Sequence, residues 1–155
     1  MTTRISYNER VEVFSVEGER LGTAQVIGDV RLVRASFGYR GAYDLEERHF
    51  NNELGGGGIL DLGCYTVSMC RLVAAAALGL EVVEPKEVHA VGHVGEESRV
   101  DEYTAATMLF PGGIVAEVAC GVRVTLDNDV HIFGTEGSIV VPSPWFCSGR
   151  QGGTS

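Results

Sequence analysis

The stretch that decides the fold is GGGGILDLGCYTVSMCRLVAAAALG, residues 55–79. Four glycines precede a run of about 20 residues that are mostly good helix formers, and Gly79 stands where a helix would end. At 1.5 Å per residue, this run predicts one helix of roughly 30 Å over residues 59–78. Because the run is apolar nearly all round, we expect the helix to be buried.

The glycine run itself has to be distinguished from a phosphate-binding loop. A dinucleotide-binding loop needs glycines at n, n+2 and n+5 directly after a strand, and the residue five positions after Gly56 is Asp61. A Walker A loop fails as well, because no lysine follows the glycines. Taken alone, the run indicates a flexible connector before the helix.

Short runs with strand-like alternation or β-branched residues flank the helix. One precedes it, at residues 30–39, and five follow it: KEVHAVGHV, YTAATMLF, GIVAEVACGVRV, VHIFG and SIVVP. The turns PGG and TEG separate some of them, so we expect the five to pair in hairpin succession. The predicted fold class is α+β: a largely antiparallel sheet of about six strands with one long helix packed on a face and no Rossmann domain.

Composition narrows the class of protein. The chain has 155 residues, 45% hydrophobic and 21% charged, which fits one globular domain. Its net charge of -9 and scattered arginines argue against nucleic acid and membrane partners, because phosphates and anionic lipids repel such a surface. The four cysteines, in apolar segments without a CxxC pair, are expected to be inert thiols of a reduced, cytoplasmic protein. They are Cys64, Cys70, Cys120 and Cys147.

Asp61 and Tyr65 are the helix residues that could carry chemistry. Residues four apart share a helix face, so a carboxylate and a phenol could reach one small ligand. Two structural explanations stand beside this one. Asp61 could interact with the helix dipole in the first turn, and Tyr65 could pack in the core with a satisfied hydroxyl. The spacing alone leaves these alternatives open.

Other residues with reactive side chains have simpler explanations. His89 and His93 are four apart, but on a strand that spacing separates them by roughly 13 Å, which disfavours a shared metal. Asp101 and Glu102 begin a strand and are expected to be solvated. Trp145 is expected to be a packing anchor, and no metal site is predicted.

Several separate motifs occur in one order: VRLVRASFGYR, ERHFNNELGGGGILDLGCYTVSMCRL, DEYTAATMLFPGGIVAEVACGV and IFGTEGSIVVPSPW. In order and spacing they resemble the C-terminal domain of the Gfo/Idh/MocA oxidoreductases. Within that family they are most similar to the branch with dimeric dihydrodiol dehydrogenase and glucose-fructose oxidoreductase. The predicted organisation is a divergent segment at 1–26 that could form a hairpin, the family domain at 27–146 and a flexible tail at 147–155.

The resemblance implies roles for three residues. Asp61 falls on the aspartate of the family's D-x-G-x-[HY] pattern and would hold the substrate hydroxyl. Tyr65 falls on its histidine or tyrosine and would exchange a proton during hydride transfer, while Arg48 matches an arginine that shapes the substrate site. A free tyrosine has a pKa of about 10 and needs a nearby cation at neutral pH. In the family, a lysine of an E-K-P motif supplies that cation.

The chain departs from the family pattern in two ways. Its single lysine, Lys86, lies in EPKEV rather than E-K-P, and no GxGxxG sequence occurs. Family members join this domain to an NAD(P)-binding Rossmann domain, for which the residues before 27 leave no room. We therefore expect a substrate-binding and oligomerisation domain of an NAD(P)-dependent oxidoreductase acting on sugars or diols. By itself it would be inactive and would bind no cofactor.

The expected partners follow from the same resemblance. The family's sheet commonly makes the subunit interface, so a homo-oligomer through the sheet is expected. A separate Rossmann-domain polypeptide could complete the enzyme, and a small sugar or diol could bind. The alternative is a non-enzymatic binding or assembly module that keeps the sheet and has lost the chemistry, since exposed apolar surface usually becomes an interface.

Overall fold

The computed structural model describes residues 2–4 and 27–146, and for Thr2–Arg4 it describes the backbone alone. Over these residues the chain forms a seven-stranded sheet with one long helix, α1 (Cys64–Leu78), packed against one face. The strands in chain order are β1 (Thr2–Arg4), β2 (Val30–Gly38), β3 (Glu87–Val94), β4 (Asp101–Leu109), β5 (Val115–Gly121), β6 (Asp129–Gly134) and β7 (Ser138–Pro142).

The sheet is mixed, with the strand order β1-β7-β6-β2-β5-β4-β3. The pairs β1–β7 and β2–β5 are parallel, and the other four pairs are antiparallel. The predicted α+β class is therefore confirmed. The predicted strands are present as β2 to β7, and β1 extends the sheet beside β7.

The predicted hairpin succession is wrong at one point. β3, β4 and β5 follow one another as hairpins, and so do β6 and β7, but β2 lies between β5 and β6. β2 carries buried side chains along its length, including Val33 and Ala35. Buried backbone groups need hydrogen-bond partners on both sides, so this strand takes the centre of the sheet.

Two expectations for the chain ends lie outside the described residues. Of the segment 1–26, the structure describes only Thr2–Arg4, so the predicted hairpin is not among the described elements. The tail at 147–155 is likewise outside them.

The predicted helix over 59–78 forms, with two differences. Its first turn, Ile59–Gly63, is π-helical, and regular α-helix begins directly after it. The helix is also not buried all round. Val73 is 2% exposed on the inner face, whereas Leu60 and Leu72 are 66% and 49% exposed. The sheet covers one face of the helix, so the apolar side chains of the opposite face remain at the surface.

The core has two parts. The larger part lies between α1 and the centre of the sheet, where alternate residues of β2 and β5 point toward the helix. A smaller cluster lies at the start of the helix and joins the preceding loop to the sheet. Its buried members are Phe37, Phe50, Leu62, Cys120 and Val122.

Asp101, the first residue of β4, fixes the start of the helix. Its Oδ2 accepts hydrogen bonds from the Ile59 N–H at 2.8 Å and from the Thr104 hydroxyl at 3.2 Å. Gly57 has a φ of 109°, and a Cβ atom there would overlap Asp101 Oδ1. Both backbone conformation and space therefore require glycine at this position.

The expectation that Asp101 and Glu102 are solvated is wrong. Asp101 caps the helix start, and Glu102 is only 7% exposed. The Ser98 hydroxyl donates to Glu102 Oε1 at 3.1 Å, and Arg123 Nε lies 3.7 Å from Oε2. The helix start and the neighbouring loop cover these two acids, which the strand pattern alone does not reveal.

The helix start predicts a difference between two glycine substitutions. Gly57→Ala should lower the free energy of unfolding by about 3 kcal/mol, because it combines backbone strain with the loss of the Asp101 cap. Gly113→Ala is the control, since Gly113 has a φ of 77° but no heavy atom within 4 Å of an added Cβ. It should cost about 1 kcal/mol. Urea denaturation followed by circular dichroism would compare them, and equal losses would contradict this account of the bend.

Candidate active site

The carboxylate of Asp61 is the centre of the candidate site. Asp61 lies in the π-helical turn, and its side chain is 11% exposed. Its Oδ1 accepts a hydrogen bond from the Arg48 guanidinium. Its Oδ2 accepts one from the Tyr39 hydroxyl at 3.2 Å, and His49 Nε2 lies 3.5 Å from the same oxygen. A carboxylate this buried needs such partners, and here three side chains share it.

The loop before the helix brings Arg48 and His49 to this carboxylate. They occupy a short 3-10 turn whose last residue, Phe50, is 2% exposed and belongs to the smaller core cluster. The carbonyl of His49 accepts a hydrogen bond from the Gly57 N–H at 3.0 Å. Thus the glycine run folds the loop back against the helix start and holds both side chains beside Asp61.

Tyr39 reaches the same carboxylate from the sheet. Its backbone N–H donates to the Gly121 carbonyl at 3.1 Å and so extends the β2–β5 ladder by one residue. Alternate residues of β2 up to Phe37 face the helix, and Tyr39 continues this series. Burial and the neighbouring Asp61 carboxylate raise the pKa of Tyr39 to about 12. Its hydroxyl therefore keeps its proton and acts as a hydrogen-bond donor.

Tyr65 lies one helical turn beyond Asp61 and presents its phenol to the surface. The residue is 54% exposed, and its ring packs edge-on against Phe37 and Trp145, with centroids 5.8 and 6.4 Å away. The hydrogen bond and charge of Asp61 raise the pKa of Arg48, and the Tyr65 phenol contributes weakly in the same direction. Arg48 therefore lies within electrostatic range of both proposed reactive side chains.

The structure bears on the structural explanations for both residues. Asp101 accepts the N–H at the start of the helix, and Asp61 lies in the same first turn, where the helix dipole also acts on it. Tyr65 is half-exposed, so it is not a core tyrosine with a buried hydroxyl. Within residues 27–146, no hydrogen bond joins Asp61 to Tyr65, which were predicted to act together. Of the three predicted site residues, Asp61 and Arg48 are the two in contact.

Two residues at the site, Tyr39 and His49, are absent from the sequence-based set. The sequence does contain a signal for Tyr39. Alternate side chains of a strand point to the same face of the sheet, and this alternation in β2 places Tyr39 on the face covered by the helix. An aromatic residue at such a position is usually assigned to the core. Only the contact with the Asp61 carboxylate makes Tyr39 part of the site. His49 carries no comparable signal beyond its position next to Arg48.

The glycine run does not form a phosphate cradle. Loops that bind phosphate direct consecutive backbone N–H groups at the ligand. Here the N–H groups of Gly55, Gly56, Gly57 and Ile59 donate instead to Asn52 O, Asn51 O, His49 O and Asp101 Oδ2. The run therefore does not fit the pyrophosphate of a dinucleotide, and it acts as the bend that starts the helix.

Among the described residues, no group of three or more His, Cys, Asp or Glu side chains could hold a metal ion.

Three other residues singled out from the sequence, Trp145, Cys70 and Cys120, have structural roles, whereas Cys64 is exposed and Cys147 lies outside the described residues. Trp145 stacks on Phe37 at 5.4 Å, and its indole N–H donates to the Ser36 carbonyl at 2.8 Å, as a packing anchor does. Burial raises the pKa of the Cys70 and Cys120 thiols to about 12. These two thiols stay protonated at neutral pH and are poor nucleophiles.

Comparison with known proteins identifies the family. A family model described as the GFO/IDH/MocA C-terminal domain matches residues 19–140. The chain belongs to this family. The family predicted from the sequence motifs is thereby confirmed.

Individual relatives agree with this assignment. Trans-1,2-dihydrobenzene-1,2-diol dehydrogenase of Danio rerio is 35% identical over 133 residues, which are 86% of this chain and 37% of that protein. Aldose-aldose oxidoreductase from Caulobacter crescentus, solved with glycerol, is 25% identical with a TM-score of 0.70, covering 92% of this chain and 42% of that one. GenD2 from gentamicin A biosynthesis, solved with NAD, shares the fold at 20% identity and a TM-score of 0.65, covering 93% and 38%. The chain spans about a third of the length of the curated relatives it matches.

The burial of Tyr39 beside the Asp61 carboxylate predicts a loss of stability at alkaline pH. The pKa of Tyr39 rises from 10.0 to about 12 on folding, so the folded protein keeps a proton that the unfolded chain loses. This contribution to stability is complete below pH 10 and is lost as the pH rises through 12. Between these pH values the free energy of unfolding should fall less steeply in Tyr39→Phe than in wild type. Urea denaturation at each pH would measure it.

Tyr43→Phe is the matched control for this experiment. Tyr43 is 41% exposed, and its hydroxyl contacts Glu97 at 3.5 Å instead of Asp61. It should leave the alkaline fall unchanged. The Cys70 and Cys120 thiols add a fall of their own, because their pKa values rise from 9.0 to about 12, so both variants are compared with wild type. If Tyr39→Phe kept the wild-type slope, the titration of Tyr39 would not contribute to the alkaline loss of stability.

Proposed function

We propose that this chain forms the substrate-binding part of an NAD(P)-dependent oxidoreductase that acts on diols or sugars. The observation that carries the proposal is the buried Asp61 carboxylate, held by Arg48 and Tyr39, with the half-exposed phenol of Tyr65 one turn away. The substrate class is supported by the names of two relatives, a diol dehydrogenase and an aldose-aldose oxidoreductase.

Three side chains share the work in this proposal. Asp61 accepts a hydrogen bond from one substrate hydroxyl and so orients the carbon that bears it. Tyr65 exchanges the proton of the hydroxyl that is oxidised. Arg48 holds Asp61 through Oδ1 and places a positive charge within electrostatic range of Tyr65, whose oxygen is negative whenever the proton is on the substrate oxygen.

A nicotinamide cofactor supplies the hydride acceptor. The glycine run of this chain does not fit the cofactor's pyrophosphate. We therefore propose that a nucleotide-binding domain, in the same polypeptide or in a separate one, holds the cofactor against this site. Hydride transfer requires the two carbons to approach within about 3–3.5 Å, so the 155 residues alone should transfer no hydride.

A binding experiment tests this function on the 155-residue chain. Titration with NADH or NADPH should leave the nicotinamide fluorescence unchanged. Titration with trans-cyclohexane-1,2-diol or glucose should move the amide NMR signals around Asp61 and Tyr65. Tyr65→Phe should weaken this binding by about three- to tenfold, which corresponds to the loss of one hydrogen bond.

Tyr103→Phe is the control, because Tyr103 is 45% exposed but lies on β4 and stacks on His93. It should bind the same ligand as wild type does. Equal affinities of wild type and Tyr65→Phe would mean that the phenol does not touch the ligand. Tight binding of either nucleotide by the chain alone would contradict the need for a separate domain.

A second candidate function is assembly of copies of this chain through the sheet. The open face, defined as the side of the sheet opposite α1, carries Val91, Tyr103 and Val115, which are 76%, 45% and 39% exposed. His93 stacks on Tyr103 with ring centroids 5.0 Å apart, beside a groove of about 480 Å³. Exposed apolar patches of this kind usually mark interfaces. We propose that a second copy covers this face, independently of any catalytic activity.

Charge substitution on the open face tests the assembly. Val91→Glu should weaken self-association by at least about tenfold, because a charge would be buried without a partner. Val82→Glu is the control, since Val82 is 66% exposed in the segment between α1 and β3. Light scattering at micromolar concentration would measure the molar mass of each variant. A monomeric wild type, or equal effects of the two substitutions, would rule out this interface.

A further inference from the structure

We propose that Tyr39 is a positioning residue that holds the Asp61 carboxylate in one orientation for the substrate hydroxyl. This inference rests on the role proposed for Asp61 and adds a residue from outside the helix motif that contains Asp61 and Tyr65. Tyr39 belongs to the extension of the central strand, so the candidate site includes the sheet as well as the helix and its preceding loop.

The two carboxylate oxygens of Asp61 are bound by different parts of the fold. Oδ1 is bound by Arg48 from the loop, and Oδ2 accepts its hydrogen bond from Tyr39 of the sheet at 3.2 Å. His49 of the loop is the other neighbour of Oδ2, with its Nε2 3.5 Å away. An aspartate side chain can turn among three staggered rotamers about its first torsion and more freely about its last torsion. With the two oxygens bound by Arg48 and Tyr39, rotation about either torsion breaks at least one of the two hydrogen bonds.

Tyr39 is the more rigid of these two partners. Arg48 has a long side chain that is 54% exposed, so its guanidinium can follow a moving carboxylate. The Tyr39 side chain has two torsions, and its backbone is bonded to Gly121 in the β2–β5 ladder. Its ring also packs edge-on against His49, with centroids 6.0 Å apart. The orientation of Asp61 therefore depends chiefly on Tyr39.

Loss of this bond should affect the reaction more than the fold. A carboxylate offers about four lone-pair directions, and those not used by Arg48 and Tyr39 remain for a ligand hydroxyl. When Oδ2 is free to turn, the hydroxyl bound to Asp61 moves with it. Misplacement of a reacting group by about 1 Å can cost as much as 100-fold in rate, so we expect roughly a tenfold fall in kcat.

The first experiment uses the 155-residue chain with carbon-13 and nitrogen-15 labels. The three-bond couplings from Asp61 Cγ to the backbone nitrogen and carbonyl carbon report whether the first side-chain torsion keeps one rotamer or averages between several. We expect one rotamer in wild type and in the control Tyr43→Phe, and averaging in Tyr39→Phe. Both variants lose one hydroxyl from a partly exposed ring and keep the ring itself. A residue that only stabilised the fold would change the unfolding midpoint without changing these couplings.

The second experiment measures turnover by these residues joined to their nucleotide-binding domain. Tyr39→Phe should lower kcat for a diol or sugar about tenfold while the KM for the cofactor stays unchanged. A single Asp61 rotamer in folded Tyr39→Phe, or an unchanged kcat, would overturn the proposal. If the wild-type enzyme oxidises neither diols nor sugars, the proposed function fails instead, and the couplings still decide whether Tyr39 orients Asp61.

Discussion

The hydrogen bond from the Ile59 N–H to the Asp101 carboxylate determines where the helix meets the sheet. Asp101 lies on β4, 42 residues further along the chain, so this is a tertiary contact rather than a local cap. Gly57 and Gly58 allow it, because a side chain at either position would press on Asp101 or on the backbone of β5. Once the helix start is fixed there, Asp61 follows two residues later within reach of β2 and of the folded-back loop.

The same contact explains why a charged residue can be buried at the edge of the core. Asp61 would be costly there by itself, since an unpaired carboxylate loses its hydration. The bend brings Arg48 and His49 to one side of it, and the ladder between β2 and β5 brings Tyr39 to the other. The site is therefore a product of how the helix start is docked, and its members come from three separate segments.

Local periodicity predicted much of the fold, and tertiary pairing accounts for what it missed. The helix and the strands could be predicted because each has its own residue pattern over a few turns or alternations. The place of β2 between β5 and β6 could not, since nothing near Leu32 in sequence indicates Val115 as its neighbour. For the site, helix spacing indicated Asp61, and the family resemblance added Arg48; the structure contains the contact between them. Tyr39 was missed because its position in a strand is typical of a core aromatic.

The parallel pairing of β2 with β5 has a consequence for how the protein is made. Residues that touch across this pair are far apart in sequence, and such non-local contacts slow folding. At a synthesis rate of about 5–20 residues per second, β2 leaves the ribosome roughly 4 to 16 seconds before β5 does. During that interval the strand that becomes the centre of the sheet has neither of its neighbours. Its apolar side chains are then free to pair with other chains, so aggregation in the cell competes with folding at this step.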